Sequence, residues 1–173
     1  MMPSVRSVLL SMAGVALALV LARYTAKYQY GILWGLPQLG VFLAAASGGP
    51  IWGLMAGVAG GLNFYHLYTG YTWLAVLSLT GLVAGLLSSR MRPVAAAAVS
   101  WVTVGLLASY YIYSQNGQPI QAFYAWVMSF SYELVVSAIV VDASLALLHV
   151  ARIEKKEKEK EAVKSEAQAE IGL

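Results

Sequence analysis

The sequence contains no cysteine, which excludes disulfides, thiolate metal sites and a cysteine nucleophile. Charge is scarce too. Only 11% of the 173 residues are Asp, Glu, Lys or Arg, less than half of the about 25% found in ordinary soluble domains. There is no Walker A loop, no HExxH, no GxSxG and no paired-carboxylate pattern, so an enzyme is not expected and no cofactor is implied. No basic stripe suited to nucleic acid is present.

What the chain has is apolar surface. Hydrophobic residues make up 60% of it, in runs separated by short polar turns. The expected fold is therefore an all-α integral membrane protein with six transmembrane helices, covering about 5–22, 31–47, 50–66, 72–88, 94–113 and 121–150. A cleaved signal peptide is the rival reading of the first run, with Arg6 as its basic region and Ala16-Leu17-Ala18 as the cleavage site. Pro37 either kinks the second helix or marks its beginning. The sixth run is long for one crossing, so it tilts or projects from the bilayer. Residues 1–150 form the membrane domain. Residues 151–173 form a charged tail, either a solvated extension of the last helix or disordered, with Glu–Lys pairs at helical spacing such as Glu154–Lys158.

Basic residues set the orientation. With six spans, Arg6, Arg90, Arg92, Arg152, Lys155 and Lys156 lie near the membrane on one side, against Arg23 and Lys27 on the other. Both termini are thus expected in the cytoplasm of a multi-pass plasma-membrane protein. His66 and His149 then fall at opposite ends of the membrane, which argues against a His-based metal site.

Glycine organises the middle of the chain. Gly49, Gly53, Gly57 and Gly61 recur every four residues and share one helix face. Such small-residue faces let a neighbouring helix backbone approach closely, a common mode of association in lipid. Gly14, Ala18 and Ala22 make a second face of this kind on the first helix, and Gly81 and Gly85 continue the pattern in the fourth.

Aromatics crowd the end opposite the basic one. Tyr24, Trp34, Tyr68, Trp73, Tyr110 and Trp126 are among them, while Trp52 lies at the basic end. Either this is a thick interfacial belt, or some of the rings line an outward-facing pocket for a ring-containing small molecule. Gln38, Asn63 and His66 add polar groups at the same end. Glu133 lies more than a dozen residues into the sixth run, where an acid should face the bundle interior. Asp142 is nine residues further on and half a turn out of phase, so the two acids are not a paired site. Trp34, Asn63, His66, Tyr110, Trp126 and Glu133 are the candidate ligand-binding residues.

Six short spans, Leu36-Pro37 in the second, and Gly49-Pro50-x-x-Gly53-x-x-x-Gly57 opening the third resemble the substrate-binding S components of energy-coupling factor (ECF) transporters, over residues 5–150. The resemblance implies a membrane-embedded specificity subunit that binds a vitamin or other micronutrient near its outer face. It also implies a transmembrane coupling subunit and two ATPase subunits as partners. In that family a small-residue face on the first helix docks the coupling subunit, and Gly14, Ala18 and Ala22 fit its spacing, although toward the outer end of the helix. The glycine pattern is also similar to the membrane sensor module of LytS-type kinases and to the rod-shape protein MreD. Those imply a sensor or scaffold that acts through helix–helix contacts. No attached kinase domain accompanies the sensor pattern here, and a scaffold needs no clustered rings and amides at one end.

Overall fold

The computed structural model describes residues 4–28, 36–64, 71–115 and 120–171. Among them every regular element is helical: α1 (Val5–Tyr28), α2 (Pro37–Gly48), α3 (Pro50–Phe64), α4 (Tyr71–Leu87), α5 (Pro93–Ser100), a π-helical stretch Trp101–Gly105, α6 (Leu106–Gln115) and α7 (Ile120–Ile171). The chain forms two compact units, Met1–Val141 and Asp142–Leu173. The second consists of the C-terminal part of α7, so the charged tail is helical as far as Ile171.

Local chemistry sets the ends of the helices. Ser4 precedes α1 and its Oγ accepts the backbone N–H of Ser7 at 3.2 Å, a side-chain cap for one of the first turn's unbonded donors. Pro37 opens α2 and Pro93 opens α5, both in the first turn, where the missing N–H loses nothing. Pro37 therefore marks the start of its helix and does not kink it. Gly49 stops α2 with φ +85°, a backbone conformation other residues adopt only with strain, and its N–H reaches the Ala45 carbonyl at 2.9 Å. Pro50 then restarts the chain as α3. Arg92 is extended, as the residue before a proline tends to be.

Within the first unit the helices touch backbone to backbone through glycine. A Cβ added at Gly53 would strike the Gly81 carbonyl, and one added at Gly81 would strike the Gly53 carbonyl. One turn along, Gly57 lies against Leu77 and Ser78; a further turn along, Gly61 lies against Leu74. Three of the four periodic glycines therefore form the α3 face that meets α4. Gly49 belongs to the turn before α3, and its backbone meets Gly85. The α1–α2 pair uses the same device: a Cβ at Gly14 would come to 2.6 Å from the Ala44 nitrogen, and one at Gly40 would collide with Ala18. Side-chain hydrogen bonds stitch the far end of that pair. Ser7 Oγ donates to the Ser47 carbonyl, and Ser11 Oγ lies 3.1 Å from Ser47 Oγ.

Among the described residues two helices are long and apolar enough to cross a membrane, at Val5–Thr25 and Ser131–Ile153. In their described residues α2, α3 and α4 have 12, 15 and 17 residues, against the roughly 20 that one crossing takes. Trp73–Leu87 and Pro93–Gly105 are the shorter apolar stretches.

Candidate functional site

Helix α2 sits at the centre of the first unit. Pro37, Gln38, Gly40, Val41, Phe42, Ala44 and Ala45 are all buried, which leaves no wide exposed face. Its neighbours divide that surface. Gly40 and Ala44 meet α1, Pro37 meets Gly60 of α3, and Val41 meets Gly81 of α4. Phe42, Ala45 and Ala46 line a cleft with Ala84 of α4, Ser88 in the turn after it, and Pro93 and Ala96 of α5. The cleft encloses about 160 Å³ including its open mouth, below the roughly 300–1,000 Å³ of ordinary small-molecule pockets. Ser88 Oγ at its edge donates to the carbonyls of Ala45 and Gly85, at 3.1 and 2.9 Å.

The floor of the cleft follows from helical periodicity. Residues four apart share a helix face. One turn from Phe42 on α2 is Gln38; one turn from Ala84 on α4 is Thr80; one turn from Ala96 on α5 is Ser100. In each case the step leads away from the Ser88 end. Three polar side chains thus succeed three apolar ones one turn along α2, α4 and α5, with exposures of 1, 2 and 0%. Gln38 Oε1 and Thr80 Oγ1 make no hydrogen bond. Ser100 Oγ donates to the Ala97 carbonyl at 2.8 Å, which leaves its lone pairs to accept. A buried polar atom without a partner costs about 1–3 kcal/mol, so each of the two needs a reason. Ser78 Oγ is also buried without a hydrogen bond, but it lies on the α3 side of α4, against Gly57.

The π-helical stretch begins immediately after Ser100. Such widened turns occur often at functional sites. The Trp101 ring covers Gly105, where any Cβ would run into it. Its Nε1 donates to Ser131 Oγ of α7 at 2.9 Å, which ties α7 to this level. Ser137 is buried on the same helix, and Glu133, two residues beyond Ser131, is half-buried with its Oε1 out of solvent. All the arginines with described side chains (Arg6, Arg23, Arg90, Arg92 and Arg152) are exposed. The buried polar side chains described are hydroxyls and the Gln38 amide, with no arginine among them.

The residues expected from the sequence to bind a ligand are placed unevenly. Trp34 and His66 lie outside the described residues, and so does the Trp126 side chain, although its backbone belongs to α7. Asn63 is half-buried in the last turn of α3, and its Nδ2 donates to the Ala59 carbonyl at 3.2 Å, a bond within its own helix. Tyr110 is on α6 and 56% exposed. Of the three with described side chains, Asn63, Tyr110 and Glu133, none lines the cleft. Gly14, Ala18 and Ala22, expected to dock a coupling subunit, are placed inside the first unit. Ala18 and Ala22 are fully buried, and Gly14 and Ala18 face Gly40 and Ala44 of α2. That small-residue face is filled within the chain and is not open to a docking subunit. Thr80, Ser100 and the π-helical stretch were not singled out in the sequence. A lone hydroxyl in an apolar run normally bonds the carbonyl one turn back, as Thr25 does to Leu21 at 3.0 Å, and so gives no signal.

No family model matches the chain, and neither curated proteins nor solved structures include one found similar to it.

Proposed function

We propose that the chain is a plasma-membrane protein with six helical passes and both termini in the cytoplasm. In this reading it binds a small nutrient from outside, as the substrate-binding subunit of an ECF-type importer, with a transmembrane coupling subunit and two ATPases as partners. The observation that carries the membrane part is the distribution of polarity. Ile51, Met55, Val58 and Leu62 recur along one exposed face of α3, while Gln38, Thr80, Ser100 and Ser137 are buried. In water, each large apolar side chain left exposed forgoes roughly 1.5–3 kcal/mol of burial. In lipid it forgoes nothing, and the polar groups belong inside. The short helices α2 to α4 count as passes if the bilayer thins around them, at a cost of fractions of a kcal/mol per Å.

A second reading has its own support. The glycine faces are spent on contacts within the chain, while α3 keeps an exposed apolar face at Ile51, Met55, Val58 and Leu62. An MreD-like scaffold or a LytS-type sensor module would meet its partner helices there. Native mass spectrometry of the detergent-purified protein separates the two. The importer reading expects a small-molecule mass that travels with the protein or is restored by one member of a vitamin panel. Protein that stays empty across the panel contradicts it and favours the scaffold.

A further inference from the structure

We infer that the end of the first unit carrying Arg6, Arg90 and Arg92 holds the headgroups of anionic phospholipids. The inference rests on the membrane part of the reading above and not on the nutrient part. It starts from the distribution of charge. Residues 1–132 contain Arg6, Arg23, Lys27, Arg90 and Arg92 and not one acid; all eight Asp and Glu residues fall from Glu133 onward, in α7.

Packing gathers three of those cations around one helix end. Arg6 precedes Ser7, whose Oγ donates to the Ser47 carbonyl. Arg90 and Arg92 follow Ser88, whose Oγ donates to the Ala45 carbonyl at 3.1 Å. Ala45 and Ser47 belong to the last turn of α2, and the Gly49–Pro50 turn beyond it meets Gly85 of α4. The start of α1 and the α4–α5 turn therefore flank the end of α2, and all three arginines there are exposed. Arg6 and Arg92 also have an interaction within the chain. A guanidinium carries five donors, and an exposed one keeps others for a phosphate. Each arginine meets a headgroup of its own, so the three side chains need not converge.

The neighbouring surface selects a lipid over a soluble anion. Val5 next to Arg6, Leu9 one turn on, Leu86 four residues before Arg90, and Ile51 at the start of α3 are all exposed. The cations thus stand at the rim of bare apolar surface. A phospholipid has the two matching parts, a phosphate for the guanidinium groups and acyl chains for the apolar faces below them. Inorganic phosphate has only the first.

The test is thermal melting of the full chain in dodecyl maltoside micelles, titrated with dioleoylphosphatidylglycerol, dioleoylphosphatidylcholine or inorganic phosphate at equal ionic strength. The anionic lipid should raise the melting temperature at concentrations where the other two do not. Added sodium chloride should reverse the gain, because salt screens exposed charge. Arg90→Gln should raise the half-saturating lipid concentration about fivefold, and Gln at all three positions about a hundredfold. Arg23→Gln, which removes an exposed cation near the other end of α1, should leave it unchanged. Arg90→Gln alone carries the test if the triple variant is not recovered folded. Equal stabilisation by the two lipids, or by phosphate, overturns the inference and leaves the membrane reading standing. A loss with Arg23→Gln as large as that with Arg90→Gln overturns it too, because charge anywhere on the chain would then suffice. Protein recovered in the soluble fraction without detergent overturns the membrane reading and the inference together.

Discussion

Gly81→Leu is expected to leave no folded protein. The Gly81 and Gly53 backbones are in mutual contact, so a side chain at either position meets a carbonyl that belongs to a helix and has nowhere to move. Overpacking a tight core costs about 1–3 kcal/mol where side chains can yield. Here the helices themselves must separate, and the line of contact through Gly57 and Gly61 separates with them. The expected result is aggregated material on size-exclusion chromatography where the parent gives one peak. Gly49→Ala is the control. Its added Cβ meets nothing within 4 Å, but φ is +85°. It should fold and lose only the roughly 1–3 kcal/mol of a strained backbone. If Gly81→Leu melts as the parent does, the close approach of α3 and α4 is wrong.

Met55→Asp should be almost as damaging, for the opposite reason. Met55 is exposed in the middle of the Ile51–Leu62 stripe on α3. On a water-facing helix this change would fall within about 0.5 kcal/mol of neutral. On a lipid-facing one it costs about 2.5–3.5 kcal/mol by insertion scales. The expected outcome is failure to accumulate in the membrane fraction, with Ser89→Asp, in the exposed turn after α4, accumulating normally. Equal accumulation of the two variants would mean that the apolar stripe is not in lipid.

Much of the helix pattern was legible beforehand because its punctuation is chemical. Pro50 and Pro93 open helices at the expected boundaries, and Gly49 ends one. The small-residue spacing announced close packing, but spacing alone cannot say whether the neighbour is in the same chain. Gly14 and Ala18 meet α2, where a partner subunit had been expected. The length of the last helix was only partly legible. Mixed charge at helical spacing is compatible with a helix or a disordered tail, and α7 runs on to Ile171. The buried polar side chains were the least visible. Gln38 stood out as an amide in an apolar run, but Thr80 and Ser100 acquire meaning only when α2, α4 and α5 converge. That convergence is long-range information which no local spacing carries. The π-helical turn after Ser100 is similarly a response to packing, with the Trp101 ring placed over Gly105.

The absence of cysteine makes the central claim, a multi-pass protein with both ends inside, directly testable. Single cysteines at Ser4, Ser89 and Ser114 sit at exposed positions, and a membrane-impermeant maleimide reports which of them face outward in intact cells. The account predicts that Ser114→Cys is labelled in intact cells, while Ser4→Cys and Ser89→Cys are labelled only after permeabilisation. Labelling of Ser89→Cys and Ser114→Cys from the same side would contradict it, because α5 to α6 would then not cross the membrane.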